Sequence, residues 1–212
     1  MGGEDVFRFV FGNQFLYTAC KQWAGNRPTS LRVLDRGSVI LFGSNRHGQF
    51  VLDTVFAVSH WIEHSRATFQ EVLRGEVSDT YAAVTLSPWY GCVFDREKPV
   101  CRPEESSTSP QSFRLYYGAM FAEKVDGMYS FFPCQPYAAV TRGFERPVIR
   151  IGGVITDNLS QSKRITLCAT TAGAKDIWEQ VVEQVTSKGL SLGVQADLPE
   201  CLNGKSVSGI MG

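Results

Sequence analysis

Histidine is scarce in this chain and charge of neither sign prevails. It has 212 residues with 3 His, 21 Lys plus Arg and 21 Asp plus Glu, so the net charge is zero. Proteins that hold long stretches of nucleic-acid backbone carry an excess of cations. Neutrality therefore argues against tight, non-specific duplex binding, but leaves room for a pocket that reads one base or one nucleotide. Long apolar runs are also missing. The longest are about ten residues and contain Arg8 or Asp53, too short to span a bilayer. No glycine-rich dinucleotide fingerprint follows a strand pattern, and there is no G-x-S-x-G nucleophile elbow. Gly204-Lys205-Ser206 resembles the end of a phosphate-binding loop, but Pro199 stands where its first glycine belongs. None of the six cysteines (Cys20, Cys92, Cys101, Cys134, Cys168, Cys201) forms a C-x-x-C pair. The acidic start, Met1-Gly2-Gly3-Glu4-Asp5-Val6, reads as neither a secretory leader nor a myristoylation signal. The even cysteine count permits disulfides, yet a chain of this length does not need them. Reduced thiols and a cytoplasmic location are expected, with no membrane contact, no metal and no cofactor.

What is present is an ordinary globular composition, 43% hydrophobic and 20% charged, which predicts a packed core. Two apolar runs stand out, Gly37 to Ser44 and Gln49 to Ser59. Neither alternates cleanly, so both read as strands buried on two faces. The second is broken by one acid, Asp53. A carboxylate in such a strand is costly unless paired, which makes Asp53 the expected floor of a polar site. A bond to a backbone amide pair or a nearby arginine is the alternative.

Turn chemistry punctuates the rest. Asp35-Arg36-Gly37 precedes the first run, and Asn45-Arg46-His47-Gly48 joins the two as a hairpin. Val6–Val10, Thr80–Leu86, Arg114–Phe121, Met128–Phe132, Pro147–Ile151 and Arg164–Ala169 read as further strands. Asn13 to Trp23 reads as a short helix or loop. Thr68-Phe69-Gln70-Glu71 has capping-box spacing for a short helix ending at Gly75. Ala174 to Lys188 is the clearest helix, with Ile177, Val181, Val182 and Val185 on one face. The polar segment 102–112 reads as a loop insertion rather than a linker. The chain is therefore expected to be one α+β domain over residues 1–212.

His60 and His64 stand four apart, yet at a strand end they read as ordinary surface or satisfied histidines rather than ligands. Aromatic pairs are the richer signal: Trp89-Tyr90, Tyr116-Tyr117 and Phe131-Phe132, with Trp23, Phe42 and Trp61 besides. In a strand each pair places one ring on either face. Phe42, Trp89, Tyr117 and Phe131 are candidates to stack a flat base, Ser44, Asp53, Ser130 and Gln135 to bond its edge, and Arg46 and Arg114 to meet phosphate.

The segments Leu34-Asp35-Arg36-Gly37-Ser38-Val39-Ile40-Leu41-Phe42-Gly43-Ser44 and Phe50-Val51-Leu52-Asp53-Thr54-Val55-Phe56-Ala57-Val58 resemble the signature of the PUA-like superfamily (PUA, ASCH, EVE, YTH and SRA domains). The pattern's Gly-Asp is here Gly37-Ser38. Asp126 to Cys134 further resembles bacterial nucleotide-modification-associated domains. The resemblance implies a PUA-like curved, β-barrel-like sheet with flanking helices and a cleft for a flipped or modified base. The function implied is a nucleic-acid or nucleotide binding module, in a DNA-modification or defence system. The alternatives are a nucleotide-directed hydrolase with Asp53 as general base near Lys124 or His47, and a non-catalytic partner subunit.

Overall fold

The computed structural model describes residues 9–18, 22–93, 100–101, 112–136, 144–152 and 170–196. Its strands in chain order are β1 (Val10–Phe11), β2 (Gln14–Tyr17), β3 (Trp23–Ala24), β4 (Arg27–Pro28), β5 (Val39–Arg46), β6 (Gln49–His64), β7 (Cys92–Val93), β8 (Val100–Cys101), β9 (Phe113–Gly118), β10 (Phe132–Cys134) and β11 (Ser191–Gly193). The helices are α1 (Phe69–Val72), α2 (Asp79–Tyr81), α3 (Ser87–Trp89) and α4 (Thr171–Thr186). Five strands form one curled antiparallel sheet in the order β1-β2-β9-β6-β5. With the helices around it, this is a curved-sheet α+β fold.

The sheet is organised by β6, which runs for 16 residues. The β5–β6 hairpin closes at His47 and Gly48, both at positive φ (53° and 76°), the paired left-handed geometry that a two-residue hairpin turn requires. Beyond it, β6 pairs with β5 over Gln49 to Ala57 and with β9 over Val58 to His64. Two register shifts interrupt the ladder. Phe42 opposes Thr54 and Gly43 opposes Leu52, so Asp53 has no opposite number. Val58 opposes Gly118 and His60 opposes Tyr117, so Ser59 has none either. Each extra residue bends the strand and increases its twist.

Each bulge also resets which face a side chain takes. Leu52, Val55 and Ala57 reach one apolar cluster, with Met128, Phe131, Ile149, Trp178, Val181 and Val185. Phe56 and Val58 reach a second, with Phe15, Tyr17, Tyr116 and Phe132. Past Ser59, Ile62 packs against a third cluster around Leu16, Phe69, Tyr81, Tyr90, Leu115 and Tyr117. Both faces of the central sheet are thus covered. Tyr116 and Tyr117 point to opposite faces as strand neighbours must, yet both are buried, as are Phe131 and Phe132. The expectation of one outward ring per pair holds only for Trp89, which is 51% exposed while Tyr90 is buried.

The expectation for Gln49 to Ser59 holds, since Val51, Leu52 and Thr54 to Val58 are buried. Strand β5 differs. It lies at the sheet edge, half-buried over Val39 to Phe42 and exposed from Gly43 to Arg46. The predicted helix is present as α4, burying Trp178, Val181 and Val185. The predicted strand at Thr80–Leu86 is instead helical. Ser78 caps it, its Oγ accepting from the Tyr81 amide at 3.2 Å. The helical run then continues through a wider π-type turn at Ala82–Leu86 into α3. Pro88 has no amide to give the Val84 carbonyl, which accounts for the wide turn. Tyr81, Leu86, Ser87 and Tyr90 are the buried positions, a helical spacing rather than an alternating one. Asn13 to Trp23 also departs from expectation, because Gln14–Tyr17 is a strand with Phe15, Leu16 and Tyr17 buried. The predicted Met128–Phe132 strand starts later, at Phe132, and Phe131 makes a bridge to Val55. In Pro147–Ile151, Val148 makes a single bridge to Val51. Residues 6–8, 102–111 and 164–169 lie outside the described residues. No helix among the described residues is long and apolar enough to cross a membrane.

Close packing makes one glycine specific. A Cβ on Gly118 would lie 2.6 Å from the Phe15 Cβ and against the Ser130 hydroxyl. Gly118→Ala is expected to lower stability by about 1–3 kcal/mol. Gly152→Ala, where nothing lies within 4 Å, is expected to change it by less than about 0.5 kcal/mol. Urea unfolding of the two variants checks the pair.

Candidate functional site

Of the residues expected to form one pocket, Phe42, Ser44 and Asp53 lie about the first bulge of the β5–β6 ladder, while Phe131 and Tyr117 belong to other apolar clusters. Phe42 stacks on Phe9 at 3.8 Å between ring centroids and packs with Tyr17 and Phe56. Phe131 is fully buried in the cluster beneath α4, and Tyr117 is buried in the third cluster. Tyr117 stacks on His60 at 4.4 Å and donates its hydroxyl to the Glu76 carbonyl. Ser130 is fully buried, and its hydroxyl accepts the Ala57 amide at 3.0 Å, a bond internal to the fold. Trp89 stands on α3 with its edge to Phe113, and Ser44 and Arg46 lie on the exposed end of β5. Gln135 is half-buried just past β10. His47 is at the hairpin tip, and Lys124 lies over the Phe121 and Tyr129 rings.

Asp53 sits at the first bulge, and its position follows from the backbone. The Leu52 amide donates to the Pro147 carbonyl at 2.9 Å. That bond sets Arg146, the residue before Pro147, beside the bulge, where its guanidinium pairs with the Asp53 carboxylate. The Asp53 side chain remains 30% exposed. The arginine partner weighed from the sequence is therefore the one found, and it offsets the cost of placing a charge in the strand.

A second polar group is deeply buried. The His64 ring is held between Thr18 Oγ1 at Nε2 and the Tyr90 hydroxyl at Nδ1, each at 2.8 Å. Thr18 Oγ1 donates its own proton to the Arg114 carbonyl at 3.2 Å. It must then accept from Nε2–H, which leaves Nδ1 to accept from Tyr90. The chain of donors from Tyr90 to the Arg114 carbonyl is complete with a neutral imidazole. Burial, then repulsion from Arg32, pushes the His64 pKa down to about 4. Burial raises that of Tyr90, which keeps its proton. Nearby, the Gln22 side-chain amide donates to the Arg114 carbonyl at 2.6 Å and accepts its amide at 2.9 Å. His64 is thus the satisfied core histidine that the sequence reading preferred to a ligand.

The exposed chemistry lies on the opposite face of the C-terminal half of β6. Beyond the Ser59 bulge, Trp61 is directly across from Tyr116, and Glu63 from Arg114. The Arg114 guanidinium lies 3.7 Å from the centre of the Trp61 ring. Its Nε is buried without a hydrogen-bond partner, while its Nη1 donates to the Leu34 carbonyl at 3.4 Å, so this cation is held by the π face and by one backbone carbonyl. Glu63 Oε1 accepts from Arg32 Nη2 at 2.8 Å and from the Ser112 hydroxyl. The Ser112 bond, followed by the charge of Arg32, holds its carboxyl below the usual range. The segment before β5 crosses the same face. The Leu34 amide donates to the Tyr116 hydroxyl, and Arg36 Nη1 donates to the Ser59 carbonyl at 3.2 Å. Three guanidinium groups thus bond along this stretch: Arg32 to Glu63, Arg114 over Trp61 and Arg36 to the Ser59 carbonyl. Trp61 is 38% exposed. Sequence reasoning named Arg114 and noted Trp61 but did not join them. The alternation Trp61-Ile62-Glu63-His64, with Ile62 and His64 inward, was the available signal.

Cysteine departs from expectation. Cys92 is disulfide-bonded, whereas Cys134 is a free thiol that burial makes harder to ionise.

The chain matches no family model, no curated protein and no solved structure.

The state of His64 sets a pH dependence. An unfolded histidine titrates at 6.5 and the folded one at about 4, so between these values the unfolded chain binds more protons. Stability is complete above pH 6.5 and falls as pH drops toward 4, by up to about 3 kcal/mol. His64→Gln is expected to remove most of this slope. Urea midpoints of both proteins across that range check it; equal slopes contradict the assignment.

Proposed function

We propose that the chain is a binding module for a nucleotide or a short single strand, holding an exposed, flipped or modified base on the Trp61 face rather than beside Asp53. The observation that carries this reading is the Trp61–Arg114 stack. A flat, partly exposed indole backed by a guanidinium offers the surface on which bases stack, worth about 1–3 kcal/mol per base. Arg36, exposed at the rim, supplies a cation for a phosphate. The zero net charge limits the contact to one or a few nucleotides, because little long-range attraction is available. The PUA-like resemblance agrees with a curled sheet and flanking helices at the level of fold class. The hydrolase alternative loses its motive, since the Asp53 carboxylate already serves Arg146.

Fluorescence anisotropy with labelled single-stranded oligonucleotides, carrying unmodified and modified bases, tests the proposal. Saturable binding is expected. Trp61→Ala or Arg114→Ala should each weaken it tenfold or more, about 1.4 kcal/mol, and Asp53→Asn should leave it within twofold. Absence of binding to every probe, or loss in Asp53→Asn alone, overturns it.

A further inference from the structure

We infer that Cys92 is joined to Cys101, and that this bond makes the chain a protein of an oxidising environment. Cys92 is disulfide-bonded, and the antiparallel register of β7 and β8 sets Cys101 directly across from it. Directly opposed residues of an antiparallel pair have Cα atoms roughly 4.5–5.5 Å apart, within the roughly 4.4–6.8 Å that a disulfide spans. Cys134, the other cysteine among the described residues outside this ribbon, is free and lies on β10 opposite Ser191.

The position explains why a bond is useful there. The β7–β8 ladder consists of two residue pairs, too little to hold a ribbon in water unaided. It follows the Tyr90 that closes the hydrogen-bond chain on His64. The cross-link therefore fixes the exit of the helical segment from which Tyr90 reaches the sheet. In forming it, the two thiols give up two protons. Their two electrons pass to a disulfide oxidant of the glutathione class, which leaves as two thiols. Such bonds persist where the thiol pool is oxidised and are rare where it is kept reduced. A closed loop of about ten residues shifts the folding equilibrium by about a hundredfold in the chain-entropy account.

Peptide mapping of the full chain tests the inference. The protein is folded in a glutathione redox buffer, its remaining thiols are blocked with N-ethylmaleimide, and it is digested without reduction. The peptide carrying Cys92 is expected to be linked to the one carrying Cys101 and released by dithiothreitol. A blocked Cys92, or Cys92 linked to any other cysteine, overturns the inference. In urea, dithiothreitol should raise the unfolding constant of the wild-type chain about a hundredfold. The Cys92→Ala/Cys101→Ala variant should lack that response; an equal response in both proteins also overturns it.

Discussion

The whole arrangement depends on one strand being hydrogen-bonded along its length while changing faces twice. Strand β6 meets β5 over its first half and β9 over its second. On the side away from β5, its first half is bonded to Pro147, Ile149 and Phe131. A straight strand of this length could serve only one pair of faces. The bulges at Asp53 and Ser59 let β6 feed three apolar clusters in succession. They also create the two places where a polar side chain can leave the ladder without stranding its backbone. Asp53 uses the first to reach Arg146. The second realigns Trp61 and Glu63 with Tyr116 and Arg114.

The same constraint decides where chemistry is available. Most buried polar groups here are consumed by the fold. Ser130 serves Ala57, His64 serves Thr18 and Tyr90, and Gln22 completes the backbone of Arg114. The Trp61 face is different in kind. Arg36 and the Trp61 ring are exposed, Arg114 is partly open, and Arg114 Nε lies against the indole without a hydrogen bond of its own. That contrast, more than aromatic density, separates a surface able to accept a guest from a core that has already filled its own bonds.

The sequence made much of this architecture legible, for identifiable reasons. The His47-Gly48 turn was readable because its residues favour positive φ, which is what the structure shows. Helix α4 was readable from its apolar stripe, and the core of β6 from its non-alternating apolar run. Thr80–Leu86 misled because a short segment with mixed residues fits either period, and the cap at Ser78 was overlooked. The surroundings of the candidate site residues were not legible for a different reason. Burial on both faces of a sheet depends on what packs against it, and neighbouring aromatic residues alone cannot report that. Asp53 was correctly singled out as needing a partner, but the partner comes from 93 residues away in sequence, through a bond between Leu52 and Pro147 that no local pattern encodes.

The most direct test is a nuclear magnetic resonance titration of isotope-labelled protein with a nucleoside monophosphate or short oligonucleotide. The account predicts that signals of the Trp61 indole, Arg114 and Arg36 move together and saturate, while those of Phe42, Ser130 and Phe131 stay in place. Movement centred on Phe42, Asp53 and Phe131, with the Trp61 face unmoved, would contradict it.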